Sequence, residues 1–377
     1  MNFAFSEEQD ELRRIARQFL EAKSPEAEVR RLMDTAEGYD PNVWSQMARE
    51  LGLQSLIVPE EYGGQGFSYI ELTVVLEEMG RALLCAPFFS TVVLATNALL
   101  HADDDTARKD LLPGICAGET VATLAFTEPN GRWDAAGIEA TARRDDGGWH
   151  LDGTKMFVID GHTADLIVVA ARSGQGDTNQ QGISLFKVDG DAEGLTRTAL
   201  STMDQTRKQA RLDLSNVPAT LIGTEGQGWD VLARVLDLAA VGLAAEQVGG
   251  AQFVLDMSVQ YAKDRVQFGR PIGSFQAIKH KCADMLVEVE SAKSAAYYGA
   301  WCAAELNDEL PEVACLAKAY CSEAYFHAAA ENIQIHGGIG FTWEHPAHLY
   351  FKRAKSSELL FGDPTYHREL LAQRLGI

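Results

Sequence analysis

The segment from Tyr261 to Lys279 reads YAKDRVQFGRPIGSFQAIK, and it joins two long helical stretches of this chain. The pattern predicts the end of one helix, a tight turn and the start of another helix. Gly269 suits the left-handed conformation that ends a helix, and Pro271 cannot continue it. Ser274 can cap the following helix, whose first residues are apolar at helical spacing. We therefore expect a helix–turn–helix corner at this point of the chain.

Three side chains of this corner are candidate ligand contacts: Arg265, Phe268 and Gln276. Arg265 and Phe268 are three residues apart, so they share a helix face. A guanidinium group with a neighbouring aromatic ring suits a phosphate and a flat heterocycle. The alternative is a capped helix junction with a surface arginine, and the spacing alone favours that alternative.

Helical patterns precede and follow a central region of strands. The pattern from Ser6 to Gln9 is a capping box that opens an N-terminal helical region. From residue 121 short strands alternate with turns, among them DGG at 146–148 and DG at 152–153, which is typical of an antiparallel barrel or sandwich. After Gly228 helical spacing returns and indicates a bundle. The helices predicted there are 229–264, 274–304, 311–337 and 345–374.

The composition limits the function classes. The net charge of −21 argues against nucleic acid and against an anionic membrane as main partners. Neither a signal peptide nor a membrane-spanning segment is predicted, because the N-terminus is acidic and no apolar run is long enough. The six cysteines form no C-x-x-C pair, and no metal-ligand spacing occurs. We expect a cytoplasmic protein with buried free thiols and no metal site.

Three motifs resemble signatures of the acyl-CoA dehydrogenase family. They are R-x-x-F-G-x-x-I-x-x-F-Q-A from Arg265, QIHGGIGF from Gln334 to Phe341, and FTEP from Phe126 to Pro129. They occur in the family's order over most of the chain. The resemblance implies an α+β protein with an N-terminal helical domain (1–120), a middle antiparallel β-barrel (121–222) and a C-terminal four-helix bundle (223–377). It also implies FAD as cofactor, and a tetramer in which each flavin lies between two subunits.

The family divides the flavin site between neighbouring subunits, and the half that receives the adenosine diphosphate portion is complete here. The resemblance implies that Arg265 meets the pyrophosphate, because a guanidinium group makes charge-assisted contacts with phosphate. Glycines permit close approach of the backbone to the cofactor. The implied contacts of this half are Arg265, Phe268, Gln276, Gln334, Gly337 and Gly338. For the two glycines the alternative is a loop between helices.

The half that would hold the chain's own isoalloxazine ring is altered. Phe126 and Thr127 of FTEP remain, but Trp133 stands where a small residue that contacts CoA is usual. The family's K-M-W-I-T-N-G is KMFVIDG at 155–161. Phe157 can still stack on the ring, whereas Ile159 replaces the hydroxyl that bonds the flavin N5. Phe157 and Ile159 could equally be residues of the barrel core.

The implied reaction is α,β-dehydrogenation of an acyl-CoA thioester, in which a carboxylate removes the α-proton. Family members carry a glutamate at one of two positions, and these hold Phe361 and Ala239 here. Neither side chain can accept a proton. The remaining candidates are Asp363 and Glu246, and for both we favour a solvated or capping carboxylate, since an aspartate before proline suits a turn.

One intact half-site and no base resemble one subunit of the heteromeric α₂β₂ acyl-CoA dehydrogenases. Bacterial enzymes of that kind shorten steroid side chains or other bulky acyl-CoA thioesters. The implied partners are an acyl-CoA substrate, a second acyl-CoA dehydrogenase-like subunit, and electron-transfer flavoprotein or an equivalent acceptor. The alternatives are a homotetrameric dehydrogenase that uses Asp363 or Glu246, a flavin monooxygenase or oxidase on the same fold, and a structural homo-oligomer without flavin.

Overall fold

The computed structural model describes residues 6–174 and 180–377. The helices, in chain order, are α1 (Glu7–Lys23), α2 (Glu26–Met33), α3 (Pro41–Arg49), α4 (Tyr69–Arg81), α5 (Asn97–His101), α6 (Asp105–Cys116), α7 (Gly228–Asp264), α8 (Gln276–Ala304), α9 (Leu310–His336), α10 (Ala347–Leu359) and α11 (Pro364–Leu375). The strands are β1 (Ala122–Ala125), β2 (Thr141–Asp145), β3 (Gly148–Ile159), β4 (Leu166–Arg172), β5 (Ile183–Asp189), β6 (Leu195–Ala199), β7 (Gln209–Ile222), β8 (Val266–Gln267) and β9 (Arg270–Pro271).

The chain forms two compact units, and neither is one continuous segment. Unit 1 contains Met1–Arg31, Ser68–Leu84 and Ala240–Ile377. Unit 2 contains Leu32–Phe67 and Cys85–Ala239. Helices α8 and α9 and the part of α7 from Ala240 onward therefore belong to the same unit as α1 and α4.

In unit 1, α7 and α9 run in the same direction. Residues that contact each other across the two helices are separated by a nearly constant number of positions in the sequence. Gln247 of α7 donates to the hydroxyl of Ser322 at 3.0 Å, and Ser258 donates to Asn332 at 2.8 Å. All four side chains are buried, so the contacts satisfy polar groups inside the bundle. As a result, the C-terminal ends of α7 and α9 lie at the same end of the unit.

Two helix predictions at the ends of the chain had different outcomes. The capping box is confirmed, because the Ser6 hydroxyl accepts from the backbone of Gln9 at 3.2 Å and the Gln9 side chain accepts from the backbone of Ser6. The single helix predicted at 345–374 is wrong. It is broken between α10 and α11 at residues 360–363, since Gly362 has φ +104° and Pro364 at the start of α11 lacks an N–H donor.

Unit 2 contains a closed five-stranded barrel in which β2, β3, β7, β5 and β4 follow one another around the ring. The predicted barrel is present, but its pairings are not all antiparallel. Strand β1 pairs in parallel with β4, and Thr141 of β2 bridges in parallel to Arg172 of β4. The other pairings around the ring are antiparallel.

The two predicted hairpin turns of the barrel also had different outcomes. The turn at 146–147 joins β2 to β3 as expected. The DG pair at 152–153 lies inside β3, at a register shift against β7. Gly153 has φ +145°, and a Cβ atom there would lie 2.6 Å from the Cβ of Ala140. Gly153 therefore lies in a β-bulge and not in a turn, and the segment around Ala140 approaches its backbone closely.

Candidate functional site

The Arg265 segment in unit 1 is a β-hairpin inserted between two helices. Helix α7 ends at Asp264, strands β8 and β9 pair, and α8 begins at Gln276. Phe268 and Gly269 form the hairpin turn with φ of +54° and +75°, so Gly269 does not end the helix. The prediction that Ser274 caps α8 is wrong. Phe275 precedes α8, and the Ser274 hydroxyl has no hydrogen-bond partner within the described residues.

The tip of the hairpin exposes its aromatic side chain. Phe268 is 91% exposed, and its ring lies edge-on to Phe275 at 6.1 Å between centroids. A bulky residue with positive φ is strained, and such strain concentrates at functional sites. Packing within unit 1 does not account for a strained, exposed phenylalanine. Arg265 and Gln276 are also exposed beside it.

The QIHGGIGF segment forms the end of α9 and a short 3₁₀ turn, Gly337–Phe341. Gln334, Gly337 and Gly338 are exposed. Gly337 has φ +66°, which favours glycine, but Gly338 has no such constraint, and a Cβ at either position would meet nothing within 4 Å. The space beside the Gly338 backbone is therefore open, and no other part of unit 1 fills it.

Tyr261 brings the two segments of unit 1 together, and the sequence analysis did not identify it. Its ring stacks on His336 with centroids 4.2 Å apart and planes 28° apart. His336 directly precedes Gly337, and Tyr261 lies one helical turn before Arg265. The sequence signal that could have identified Tyr261 is its position one helical turn before Arg265. The hairpin and the glycine turn are therefore linked at one end of the bundle.

The glycine turn continues into an exposed aromatic surface. Phe341 is 82% exposed and Trp343 is 55% exposed. The Lys352 ammonium lies 4.7 Å from the centre of the Trp343 ring. Large exposed apolar groups that lie close together mark surfaces that contact another molecule.

In unit 2 the FTEP segment is fixed to the barrel by a buried ion pair. The Lys155 ammonium lies 2.6 Å from Glu128 Oε1, and both side chains are buried. Burial lowers the pKa of Lys155, and the Glu128 carboxylate opposes that shift. Glu128 also accepts from the backbone N–H groups of Glu139 and Ala140, and Met156 N–H donates to the carbonyl of Thr127 at 2.8 Å. The segment is thus a rigid part of the unit.

The two residues that differ from the family's ring contacts have opposite environments. Phe157 is 45% exposed and has φ +55°, so its ring is accessible to a ligand. Ile159 is 3% exposed, and its carbonyl accepts from the Thr123 hydroxyl at 2.6 Å. The Trp133 ring lies 5.8 Å from the buried ring of Phe126. Trp133 therefore adds an indole directly beside the FTEP segment.

The two candidate carboxylates are both engaged in structural contacts. Asp363 caps α11 and accepts from the backbone N–H of Tyr366 at 2.8 Å. Glu246 is buried and forms an ion pair with Arg353 at 2.6 Å. Phe361 and Ala239, which the resemblance predicts to stand at the two base positions, are buried. Among the residues that the structure describes, no group of His, Cys, Asp and Glu could hold a metal ion.

A buried lysine that the sequence analysis missed holds the segment around Phe361. Lys318 of α9 donates to the carbonyls of Gly362 at 2.9 Å and Glu358 at 3.0 Å, and to the Ser322 hydroxyl. Burial lowers the pKa of Lys318 to about 7, although the carboxylates of Glu358 and Asp363 oppose the shift. The available signal was a single lysine within an apolar helical run, CLAKAY.

The ten candidate contacts thus separate into two groups. Arg265, Phe268, Gln276, Gln334, Gly337 and Gly338 lie in unit 1, whereas Phe126, Thr127, Phe157 and Ile159 lie in unit 2. Within the ranges 6–174 and 180–377, none of the helices is apolar over a length that would cross a bilayer.

Three domain models of one family match almost the whole chain. The acyl-CoA dehydrogenase N-terminal domain matches residues 6–119, the middle domain 123–217 and the C-terminal domain 226–376. Acyl-CoA dehydrogenase IpdE2 of Mycolicibacterium smegmatis is 37% identical over 361 residues, which cover 95% of this chain and 96% of that protein.

Two solved structures are similar to this chain over almost its whole length. A variant of the Tcur3481-Tcur3483 steroid ACAD is 32% identical with a TM-score of 0.88, covering 98% of each chain. The ChsE4-ChsE5 complex from Mycobacterium tuberculosis is 28% identical with a TM-score of 0.90, covering 100% of this chain and 99% of the other.

Proposed function

The chain belongs to the acyl-CoA dehydrogenase family, and we propose that it is one subunit of a heterotetrameric FAD-dependent acyl-CoA dehydrogenase. In this proposal the chain completes the flavin site of a partner subunit and carries no catalytic carboxylate of its own. Members of the family are oxidoreductases that act on acyl-CoA thioesters. The domain boundaries that we propose are 1–120, 121–222 and 223–377.

The observation that carries the proposal is that the carboxylates near the two proposed base positions are engaged in structural contacts. Phe361 and Ala239 cannot accept a proton, and a general base must present a carboxylate with free lone pairs to its substrate. Asp363 uses its carboxylate to cap α11, and Glu246 is neutralised by Arg353. Moving Glu246 out of that pair would remove a carboxylate from a buried guanidinium group, which is strongly unfavourable.

The contacts of unit 1 fit the adenosine diphosphate portion of FAD. Arg265 is an exposed cation for the pyrophosphate, and Phe268 is a strained, exposed ring beside it. Gly338 leaves its backbone open to close approach by a ligand. When bound, FAD supplies the acceptor for the β-hydride of the acyl thioester. The residues of this chain bind and orient that cofactor for the partner.

The contacts of unit 2 fit the isoalloxazine portion less well. Thr127 and Phe157 could still contact a flavin ring, because the FTEP segment is rigid and Phe157 is half-exposed. Ile159 offers no hydroxyl to N5, and Trp133 adds bulk where the family has a small residue that contacts CoA. We propose that this half-site binds FAD weakly or not at all.

The names of related proteins guide the choice of substrate and partners. One related structure is described as a steroid ACAD, and another as a complex of two different chains. We propose a bulky acyl-CoA, such as a steroid-derived thioester, as the substrate class, with electron-transfer flavoprotein or an equivalent protein as the acceptor. We further propose a cytoplasmic location.

The test is a base-replacement experiment in the complex assembled with its partner subunit. Asp363→Asn keeps a capping side chain at the start of α11, so the fold should be preserved. Dehydrogenation of acyl-CoA should stay within a few-fold of the wild-type rate, whereas loss of a general base costs about 10²-fold or more. A matched glutamate-to-glutamine change at the partner's base position should abolish turnover.

The proposal would be overturned by the opposite pattern. If Asp363→Asn abolishes both α-proton exchange and dehydrogenation while flavin content and assembly are retained, this chain has its own active site. Asp363 would then be the base of a homotetrameric enzyme.

A further inference from the structure

Unit 1 contains a pocket of about 230 Å³ that includes neither the proposed flavin contacts nor the family's base positions. It lies among the C-terminal half of α1, the start of α2, the end of α4, the middle of α7 and the start of α10. Its apolar wall includes Leu20, Val29, Leu83, Phe253, Leu349 and Tyr350. The Phe253 and Tyr350 rings stack with centroids 4.8 Å apart and form one flat side of the pocket.

Most polar groups of the wall are paired within the unit, but the wall also includes Glu21, an exposed carboxylate outside those pairs. Arg17 binds both oxygens of Glu78, at 2.8 Å and 2.7 Å. Arg81 pairs with Asp256 at 3.0 Å, and its guanidinium lies 5.1 Å from the Phe253 ring.

The hydroxyl groups of the wall are also satisfied by backbone carbonyls. Tyr350 donates to the carbonyl of Arg81 at 2.7 Å, and Ser24 donates to the carbonyl of Ala82 at 3.1 Å. An anionic occupant would meet the Glu21 carboxylate, and both arginines of the wall are already paired, so burying a negative charge there is costly. The wall therefore suits an apolar group and disfavours an anion.

Leu83 is a second, independent sign that this wall is maintained. It follows the end of α4 with φ +47°, the left-handed position that glycine usually occupies after a helix. A leucine in that conformation is strained, yet it is only 2% exposed and lines the pocket. Strain of this kind persists where the surrounding structure needs the side chain.

We propose that this pocket is a binding site for a small ligand that carries no negative charge and whose buried part is an aromatic ring or a short branched alkyl group. An engineered apolar cavity of about 150 Å³ binds benzene, so the volume here is sufficient for such a group. The site is distinct from the flavin and acyl-CoA contacts, and nothing in the proposed function requires it.

The test uses the assembled protein with FAD bound and 5-fluoroindole as a probe, followed by fluorine NMR. Ala82→Phe places a ring into the pocket from the end of α4. Ala27→Phe adds the same ring at an exposed position of α2 that does not line the pocket, and it serves as the matched control. Wild type and Ala27→Phe should bind the probe saturably, and Ala82→Phe should weaken that binding at least tenfold.

Probe binding that is absent, or that Ala82→Phe leaves unchanged, overturns the proposal, because the probe is then not in this pocket. If Ala82→Phe does not fold, crystals of the wild-type protein pressurised with xenon decide the question. A xenon atom between Phe253 and Leu349 supports the site, and an empty pocket overturns it.

Discussion

Individual side chains of this protein carry roles that depend on whether their charge is free or paired. Arg265 is an exposed guanidinium at the base of a hairpin, while Arg353 is buried against Glu246. The first can bind an external phosphate, and the second cannot leave its carboxylate without a large energetic cost. Residue type alone does not separate these two arginines, but their burial does.

Arg265→Ala should lower the FAD occupancy of the assembled enzyme without unfolding it. A charge-assisted contact contributes about 1.5–3 kcal/mol, so the FAD dissociation constant should rise by about 10- to 100-fold. FAD titration by fluorescence measures the change, and the melting temperature checks the fold. Arg14→Ala, an exposed arginine of α1, is the matched control and should leave FAD binding unchanged. Unaltered flavin affinity in the Arg265 variant would refute the assignment.

Glu246→Gln should destabilise the protein, because it removes one charge from a buried ion pair. The expected loss in the free energy of unfolding is about 3 kcal/mol. Glu323→Gln, which breaks the exposed pair between Glu323 and Arg368, should cost less than about 1 kcal/mol. Urea denaturation measures both variants. Equal losses would mean that the Glu246–Arg353 pair has no special structural role.

Lys318 should make the stability of the protein depend on pH above neutrality. The unfolded lysine holds its proton up to about 10.5, whereas burial lowers the folded pKa to about 7. Between these values the unfolded state binds more protons, so stability rises with pH. Relative to Lys318→Met, the wild type should gain a few kcal/mol between pH 7 and pH 10.

Denaturation curves at several pH values check this expectation. Lys109→Met, at an exposed position of α6, is the control and should show no such dependence. A difference between wild type and Lys318→Met that stays constant from pH 7 to pH 10 would mean that Lys318 keeps its ordinary pKa in the folded protein.

At the scale of elements, the hairpin of β8 and β9 is built around a residue that its turn does not favour. Two-residue hairpin turns with positive φ at both positions favour Asn-Gly, yet this turn is Phe268-Gly269. The phenylalanine is strained and almost fully exposed. Strain of this kind is often found at functional sites, so the turn is a suitable place to test for ligand binding.

Phe268→Asn should separate the two roles of this turn. The variant should be at least as stable as wild type, since asparagine tolerates positive φ better than phenylalanine. FAD binding to the assembled enzyme should weaken by about tenfold, equivalent to about 1.4 kcal/mol, because the exposed ring is lost. Thermal melting and FAD titration measure the two quantities. A variant that loses stability but keeps full FAD affinity would assign Phe268 a purely structural role.

The segment between α10 and α11 also contains a bulky residue with positive φ, but here the residue is buried. Phe361 has φ +60°, and its carbonyl accepts from His367 at 3.0 Å. Lys318 binds the carbonyls on either side of it. The segment that we propose as one of the two base positions is therefore held rigidly, and its side chain is a buried phenylalanine.

For the whole molecule, the two units differ in the flavin contacts that we propose for them. The contacts proposed in unit 1 are exposed and match the family's motifs, while those proposed in unit 2 lie beside the departures Ile159 and Trp133. A homo-oligomer would combine a complete half with an impaired half at every flavin site. A heteromer would combine the complete half with an intact half from another chain.

The chain expressed alone should therefore contain substoichiometric FAD and should not oxidise acyl-CoA. Co-expression with a second acyl-CoA dehydrogenase-like chain should yield a yellow, active complex. Visible absorbance measures flavin content, and light scattering measures the mass of each assembly. A homotetramer of this chain with one FAD per subunit would contradict the heteromeric proposal and favour a homotetrameric dehydrogenase.

The family and its helical and β regions followed from the sequence alone, because each rests on short spacings along the chain, and the residues of the two half-sites remain a prediction from the same motifs. Motifs such as QIHGGIGF and the alternation of strands in residues 121–222 are local patterns. The same local reasoning failed at 152–153 and at Ser274, where a bulge and a hairpin replaced the expected turn and cap. The spacing of residues along the sequence does not show which distant segment will pack against a given stretch of backbone.

Only the tertiary structure decided the state of the charged and strained residues. Glu246 meets Arg353 across 107 positions of sequence, and Lys318 reaches Gly362 across 44. Whether a carboxylate or an ammonium group is free depends on burial and on partners that folding brings close, which strongly change its desolvation energy. The sequence thus proposed which residues could perform the chemistry, and the folded structure determined which of them are engaged in contacts that hold the protein together.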